Sequence, residues 1–211
     1  MMPPEAQPSG HSANETKHWL VLAAACVGAF AVAYNTTAVM TALPAIKSSL
    51  DLSTGALQWV INIYMLTTAV SLAGLGHFAD MFGMLRIFAV GLVAFALGSI
   101  TIALADDAGA VLGGRVFQGI GVAGLIATSV ALINVTTPEE KRSGAIGLWA
   151  GSVAIGFALG PLIGGVLTDA ISWRAIFILD LAILGTAGLL CLYAARAGLV
   201  PSALEAGTRI D

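Results

Sequence analysis

Six long apolar runs dominate this sequence, and they leave few choices of fold. They cover residues 19–45, 57–79, 87–105, 109–133, 144–168 and 174–195. A bilayer crossing takes about 20 mostly apolar residues in a helix. Each run is close to that length. The alternation over about 10 residues that marks a transmembrane β-barrel strand is missing. Lipid offers backbone groups no hydrogen-bond partner, so each run is expected to close its own bonds as an α-helix. Hydrophobic residues make up 58% of the chain and charged ones 10%. Soluble domains are about a quarter charged. The expected fold is therefore an all-α integral membrane protein, a bundle of six transmembrane helices.

Charge falls between the runs: Lys47 with Asp51, Asp80 to Arg86, Asp106 with Asp107, Glu139 to Arg142, and Asp169. Six crossings place both termini on one side. That side carries Lys17, Arg86, Lys141, Arg142, Arg196 and Arg209, and the other carries Lys47 and Arg174. The positive-inside rule then predicts cytoplasmic termini for a multi-pass protein of the plasma (inner) membrane. Residues 1–17 are polar, hold three prolines, and read as a disordered cytoplasmic tail. Residues 18–197 form the transmembrane domain. Residues 198–211 read as a tail or the start of a linker to a second half.

Several function classes fall away. No basic patch suggests nucleic acid. No nucleotide-binding Gly-x-x-x-x-Gly-Lys loop occurs. His11, His18 and His77 lie at or outside the ends of the runs, and no catalytic dyad or metal cluster is present. Cys26 and Cys191 sit inside apolar runs and imply no disulfide or metal. The chain is not expected to be an enzyme or to carry a cofactor. Its 25 glycines let helices approach closely where no hydrophobic drive exists. The fourth and fifth helices, which hold many of them, should be tightly packed. A faint repeat joins Gly76-His-Phe-Ala-Asp80 to Gly165-Val-Leu-Thr-Asp169, each followed by an arginine, at matching places in helices 1–3 and 4–6. This fits two inverted three-helix repeats.

Four segments resemble the major facilitator superfamily, and within it the fourteen-helix drug:proton antiporter branch. Gly76 to Arg86 is similar to the signature loop G-x-L-A-D-R-x-G-R-R-R, with Met81, Met84 and Leu85 in place of usually basic or polar residues. The resemblance implies that Gly76, Asp80, Gly83 and Arg86 latch two halves on the cytoplasmic side. Arg115-Val-Phe-Gln118-Gly119-Ile-Gly121 matches R-x-x-Q-G-x-G and implies proton coupling at Arg115, with Gln118 beside it. A cation inside a span is costly, so Arg115 should face protein or water. Gly147, Gly156, Gly160-Pro161 and Gly164-Gly165 fit the antiporter motif of the fifth helix, which implies a bend that governs export. The flanks also match: Ala42-Leu43-Pro44 closes helix 1, Gln58-Trp59-Val60 to Tyr64 opens helix 2, and Trp173-Arg174 opens helix 6. Trp59, Tyr64 and Trp173 are candidates for interface anchoring or substrate contact.

Two positions depart from the branch. Asn35 stands where an acid is usual, nine residues before Pro44, and Asp180 stands where helix 6 usually has Asn. The membrane acid is thus displaced from helix 1 to helix 6, and Asp180 is expected to pair with or relay to Arg115. The function implied is secondary active transport: proton-coupled export of small lipophilic or cationic compounds, by the N-terminal half of a longer protein. The partners are then the substrate, protons, lipid and a second half. The alternative is a half-size transporter, or a non-transporting membrane regulator, that acts as a dimer or with a partner half.

Overall fold

The computed structural model describes residues 10–196, with side chains from His18 onward. It is a bundle of six helices: α1 (Gly10–Ser49), α2 (Thr54–Phe82), α3 (Met84–Ala103), α4 (Ala108–Thr136), α5 (Glu139–Ala170) and α6 (Arg174–Arg196). All six are long and apolar enough to cross a membrane. No strand occurs among the described residues.

Local chemistry sets the ends. Ser53 caps α2 by accepting from the Ala56 amide at 3.1 Å, and Asp107 caps α4 by accepting from Ala110 at 2.8 Å. Glu139 and Glu140 occupy the first turn of α5, where the helix dipole favours negative charge. Between α2 and α3 the chain turns on one residue, Gly83, at φ +99°. That conformation is natural for glycine and strained for other residues.

Two expectations about helix ends change. The polar segment expected as a disordered tail through Lys17 is helical from Gly10. Its prolines, Pro3, Pro4 and Pro8, all precede that point, so nothing stops α1 from extending. Residues 1–9 and 197–211, with Arg209 among them, lie outside the described residues. Pro44 does not close α1 but lies within it. Proline removes one backbone donor without forcing an end, and the helix continues to Ser49.

The packing follows the expected internal symmetry. α1 packs on α5 and α6, α4 packs on α2 and α3, and α3 meets α6. Exchanging the first three helices with the last three maps α1–α5 onto α4–α2, α1–α6 onto α4–α3, and α3–α6 onto itself. α1 and α4 are the most buried helices, and α2 and α5 the least. Glycines make the close contacts, but α4 and α5 use them on different partners. A Cβ on Gly121 would lie 2.6 Å from the Phe95 amide nitrogen and 2.7 Å from the Gly91 carbonyl oxygen of α3. A Cβ on Gly164 would lie 2.7 Å from the Ala38 Cα of α1. Such distances leave no room for a side chain at either glycine.

Candidate functional site

Five polar side chains meet inside the bundle. Arg115 and Gln118 come from one face of α4, Asn35 from α1, Ser99 from α3 and Asp180 from α6. Arg115 lies about 10 Å along α4 and Asp180 about 9 Å along α6 from their starts, at 1.5 Å per residue. Both helices start at the end of the bundle opposite Gly83. Asn35, Ser99, Gln118 and Asp180 are fully buried, and Arg115 is 2% exposed. The arginine therefore does not reach out to an interface; its charge is held inside protein.

The five groups close a ring. Arg115 Nη1 donates to Asn35 Oδ1 at 2.9 Å and to Gln118 Oε1 at 2.9 Å. Asn35 Nδ2 donates to Asp180 Oδ2 at 2.7 Å. Gln118 Nε2 donates to Ser99 Oγ at 2.8 Å, and Ser99 donates to the same Asp180 oxygen at 3.1 Å. Both arms run the same way, from guanidinium donor through an amide to the carboxylate acceptor. The two charges are joined through neutral groups and form no direct ion pair. Buried charges need this kind of compensation, and aligned hydrogen bonds in a low dielectric reinforce one another.

Aromatic rings complete the enclosure. The guanidinium carbon lies 5.1 Å from the centre of the Tyr64 ring and 5.6 Å from that of Phe177, within cation–π range. Tyr64 is buried and its hydroxyl meets Thr36 Oγ1 at 3.1 Å. Three polar atoms here have no partner among the described residues: Asp180 Oδ1, Arg115 Nε and the Tyr34 hydroxyl.

The other predicted residues fall elsewhere. Gly76, Asp80, Gly83 and Arg86 cluster at the α2–α3 turn. Asp80 and Arg86 are exposed, and neither has an ion pair or hydrogen bond to a described residue. Trp59 is exposed near the start of α2, as an anchor would be. Trp173 is not: it is buried edge-on against Phe177, with ring centroids 6.1 Å apart. Arg174 covers its ring at 4.4 Å and donates to the Ala105 carbonyl. This pins the start of α6 to the α3–α4 loop, so Trp173 is a core residue.

In α5 the motif divides. Gly156, Gly160 and Gly164 face α1, where an added Cβ would strike the Phe30, Tyr34 and Ala38 backbones. Gly147 faces open space, and Gly165 has only Thr41 at 3.9 Å. Pro161 lacks an N–H, which leaves the carbonyl four residues back, that of Phe157, without its helical donor. Thr37 Oγ1 of α1 supplies a bond to that oxygen at 3.3 Å, while also within reach of Ala33 and Tyr34 carbonyls of its own helix. Replacing Thr37 by valine is expected to lower stability by about 0.6–1 kcal/mol. The loss should vanish in a Pro161→Ala background, where the helix supplies its own donor. Unfolding midpoints of the four proteins in detergent measure this.

Sequence reading missed Ser99 as part of the site. Its one signal is a hydroxyl in an otherwise apolar stretch of helix 3, a pattern that Ser and Thr elsewhere in the chain share by bonding back to their own helix.

Comparison with known proteins places the chain in a family. The model of the Major Facilitator Superfamily matches residues 25–207. The tetracenomycin C resistance and export protein of Streptomyces glaucescens is 39% identical over 191 residues, covering 89% of this chain and 35% of that protein. The multidrug resistance protein Stp of Mycobacterium tuberculosis (strain CDC 1551 / Oshkosh) is 37% identical over 163 residues, 77% of this chain and 30% of that one. The methylenomycin A resistance protein of Bacillus subtilis (strain 168) is 34% identical over 174 residues, 82% of this chain and 37% of that one. The chain thus spans about a third of the length of the curated relatives it matches. The family match runs through all six helices and includes every member of the buried ring. The chain belongs to the major facilitator superfamily, as a multi-pass membrane protein.

Proposed function

We propose that this chain is one transmembrane half of a secondary active exporter that moves small lipophilic or cationic compounds in exchange for protons. The observation that carries the reading is the buried ring. It contains Asp180, the sole buried carboxylate among the described residues, connected to Arg115 by two hydrogen-bonded arms. A group that gains and loses a proton there changes the charge balance of four helices at once, because the ring joins α1, α3, α4 and α6. α1 in turn rests on the glycines of α5, so a shift at the ring reaches a surface built for sliding. Ionisable groups at membrane depth characteristically mark ion or substrate paths. The names of the relatives, which speak of resistance and export, support the outward direction.

The second half is proposed from the surfaces of α2 and α5. Gly74 and Gly76 on α2, and Gly144, Gly147 and Gly151 on α5, have nothing within 4 Å. Small residues open to lipid gain nothing; against another helix they permit close approach. In this reading both termini are cytoplasmic. Asp80 and Arg86 then meet charges of the second half, and the Pro161 segment flexes as the halves rock.

Everted membrane vesicles from cells that overproduce the protein test the reading. Energised vesicles should accumulate ethidium, and nigericin in potassium buffer, which collapses the pH difference, should abolish the accumulation. Uptake that survives collapse of both the pH difference and the membrane potential, by nigericin with valinomycin in potassium buffer, removes protons from the mechanism.

A further inference from the structure

We propose that Asn35 and Asp180 act as an exchangeable amide–carboxylate pair, in which Asp180 carries the transported proton and Asn35 links it to the Arg115 guanidinium. The inference rests on the proton-coupled reading above and assigns that reading's proton to one atom pair.

The geometry gives Asn35 a particular place. Among the described residues it is the only side chain hydrogen-bonded to both ends of the charge pair: its oxygen takes the guanidinium N–H and its nitrogen serves the carboxylate. A carboxylate at position 35 would instead pair with Arg115 directly. As it stands, the neutral amide separates the two charges. Asp180 is bonded through Oδ2 alone, which accepts from Asn35 and Ser99, while Oδ1 accepts from no described residue. An oxygen of that kind has a lone pair free for a proton, and taking it does not require any bond of the ring to break. The charged and titratable groups around Asp180 are Arg115 of α4, Tyr64 of α2 and Tyr34 of α1. α3 contributes only the neutral Ser99. Every other carboxylate among the described residues is exposed.

Asparagine and aspartate have the same shape, so the pair can be exchanged without changing the packing. With aspartate at 35 and asparagine at 180, one oxygen of residue 35 would accept from Arg115 and the other from the new amide. That amide has two hydrogens, which match the two atoms that now lie 2.7 and 3.1 Å from Asp180 Oδ2. The exchange keeps one acid and one cation in the ring. Either single substitution alone changes that count: D180N leaves no acid, and N35D leaves two facing each other, which cannot both ionise at low cost.

The test compares wild type, D180N, N35D and N35D/D180N in everted vesicles, by ethidium uptake with and without nigericin, alone or with valinomycin, and by immunoblot of membrane levels. The expected result is loss of the nigericin-sensitive uptake in both single variants and its return in the double exchange. A second readout needs no transport: labelling by dicyclohexylcarbodiimide, which attacks protonated carboxyl groups in lipid, followed by peptide mass spectrometry. The label is expected on Asp180 in wild type and on residue 35 in the double exchange. If wild-type uptake ignores nigericin and valinomycin together, the proton-coupled reading itself falls. If wild type responds to nigericin and D180N responds equally, Asp180 does not carry the proton. If the double exchange reaches wild-type membrane levels yet stays inactive and unlabelled at position 35, the two residues are not a pair. Should any variant fail to accumulate, the wild-type labelling site alone decides: label absent from Asp180 overturns the assignment.

Discussion

Arg115→Met is expected to destabilise the six-helix bundle by about 3–5 kcal/mol, because it strands a buried carboxylate without its cation. Methionine fills much of the arginine's volume and keeps contact with Tyr64 and Phe177, so packing loss is a small part of the effect. The larger part comes from both arms of the ring, since Asn35 and Gln118 each lose the donor that now reaches them at 2.9 Å. A buried acceptor left without a donor costs about 1–3 kcal/mol. The decisive comparison is the double variant Arg115→Met with Asp180→Asn. With both charges gone, the remaining amides and hydroxyl can still bond one another. The double variant should then be more stable than the sum of the two single losses predicts, by about 0.5–3 kcal/mol. Unfolding midpoints in detergent micelles give all three values. Additive losses would mean that Arg115 and Asp180 do not sense each other through the ring.

Gly164→Val is expected to have the second largest effect, and Gly147→Val serves as its counterpart. At Gly164 the first side-chain atom alone would lie 2.7 Å from the backbone of Ala38 and 2.9 Å from its Cβ. No rotamer relieves a clash that begins at Cβ. α1 and α5 must separate, which exposes Gly156 and Gly160 as well. Overpacking of this kind costs about 1–3 kcal/mol or more, and the variant should accumulate poorly in membranes. At Gly147 the same substitution meets nothing within 4 Å, so the stability of the bundle should be unchanged. On the proposed function, ethidium uptake should nonetheless fall, because the proposed second half approaches there. Quantitative immunoblots and ethidium uptake separate the two outcomes. Equal accumulation of both valine variants would show that the glycine stripe does not hold α1 against α5.

The division between sequence and tertiary structure follows from how helices are read in lipid. The six crossings, their order and their approximate ends follow from the sequence, because a bilayer demands length and apolarity and little else. The family was legible too, since its motifs sit in loops and at glycine and proline positions whose spacing survives in one dimension. The depth of Arg115 and Asp180 could be counted along each helix, which made their meeting a fair expectation. What could not be counted was rotation. These helices are apolar nearly all round, so the sequence carries no sided stripe to say which face looks inward. Hence the burial of Trp173 at the start of α6, the place of Ser99 in the ring and the split of the α5 glycines into packed and open sets appear only when the helices are assembled. The same holds for Asn35. In sequence it is an acid's absence. In the fold, α1 turns it between α4 and α6, and there it becomes the link between the two buried charges. Composition and length fix that these segments enter the membrane; the close approach of glycine backbones and the pairing of a few buried polar groups decide how they face one another.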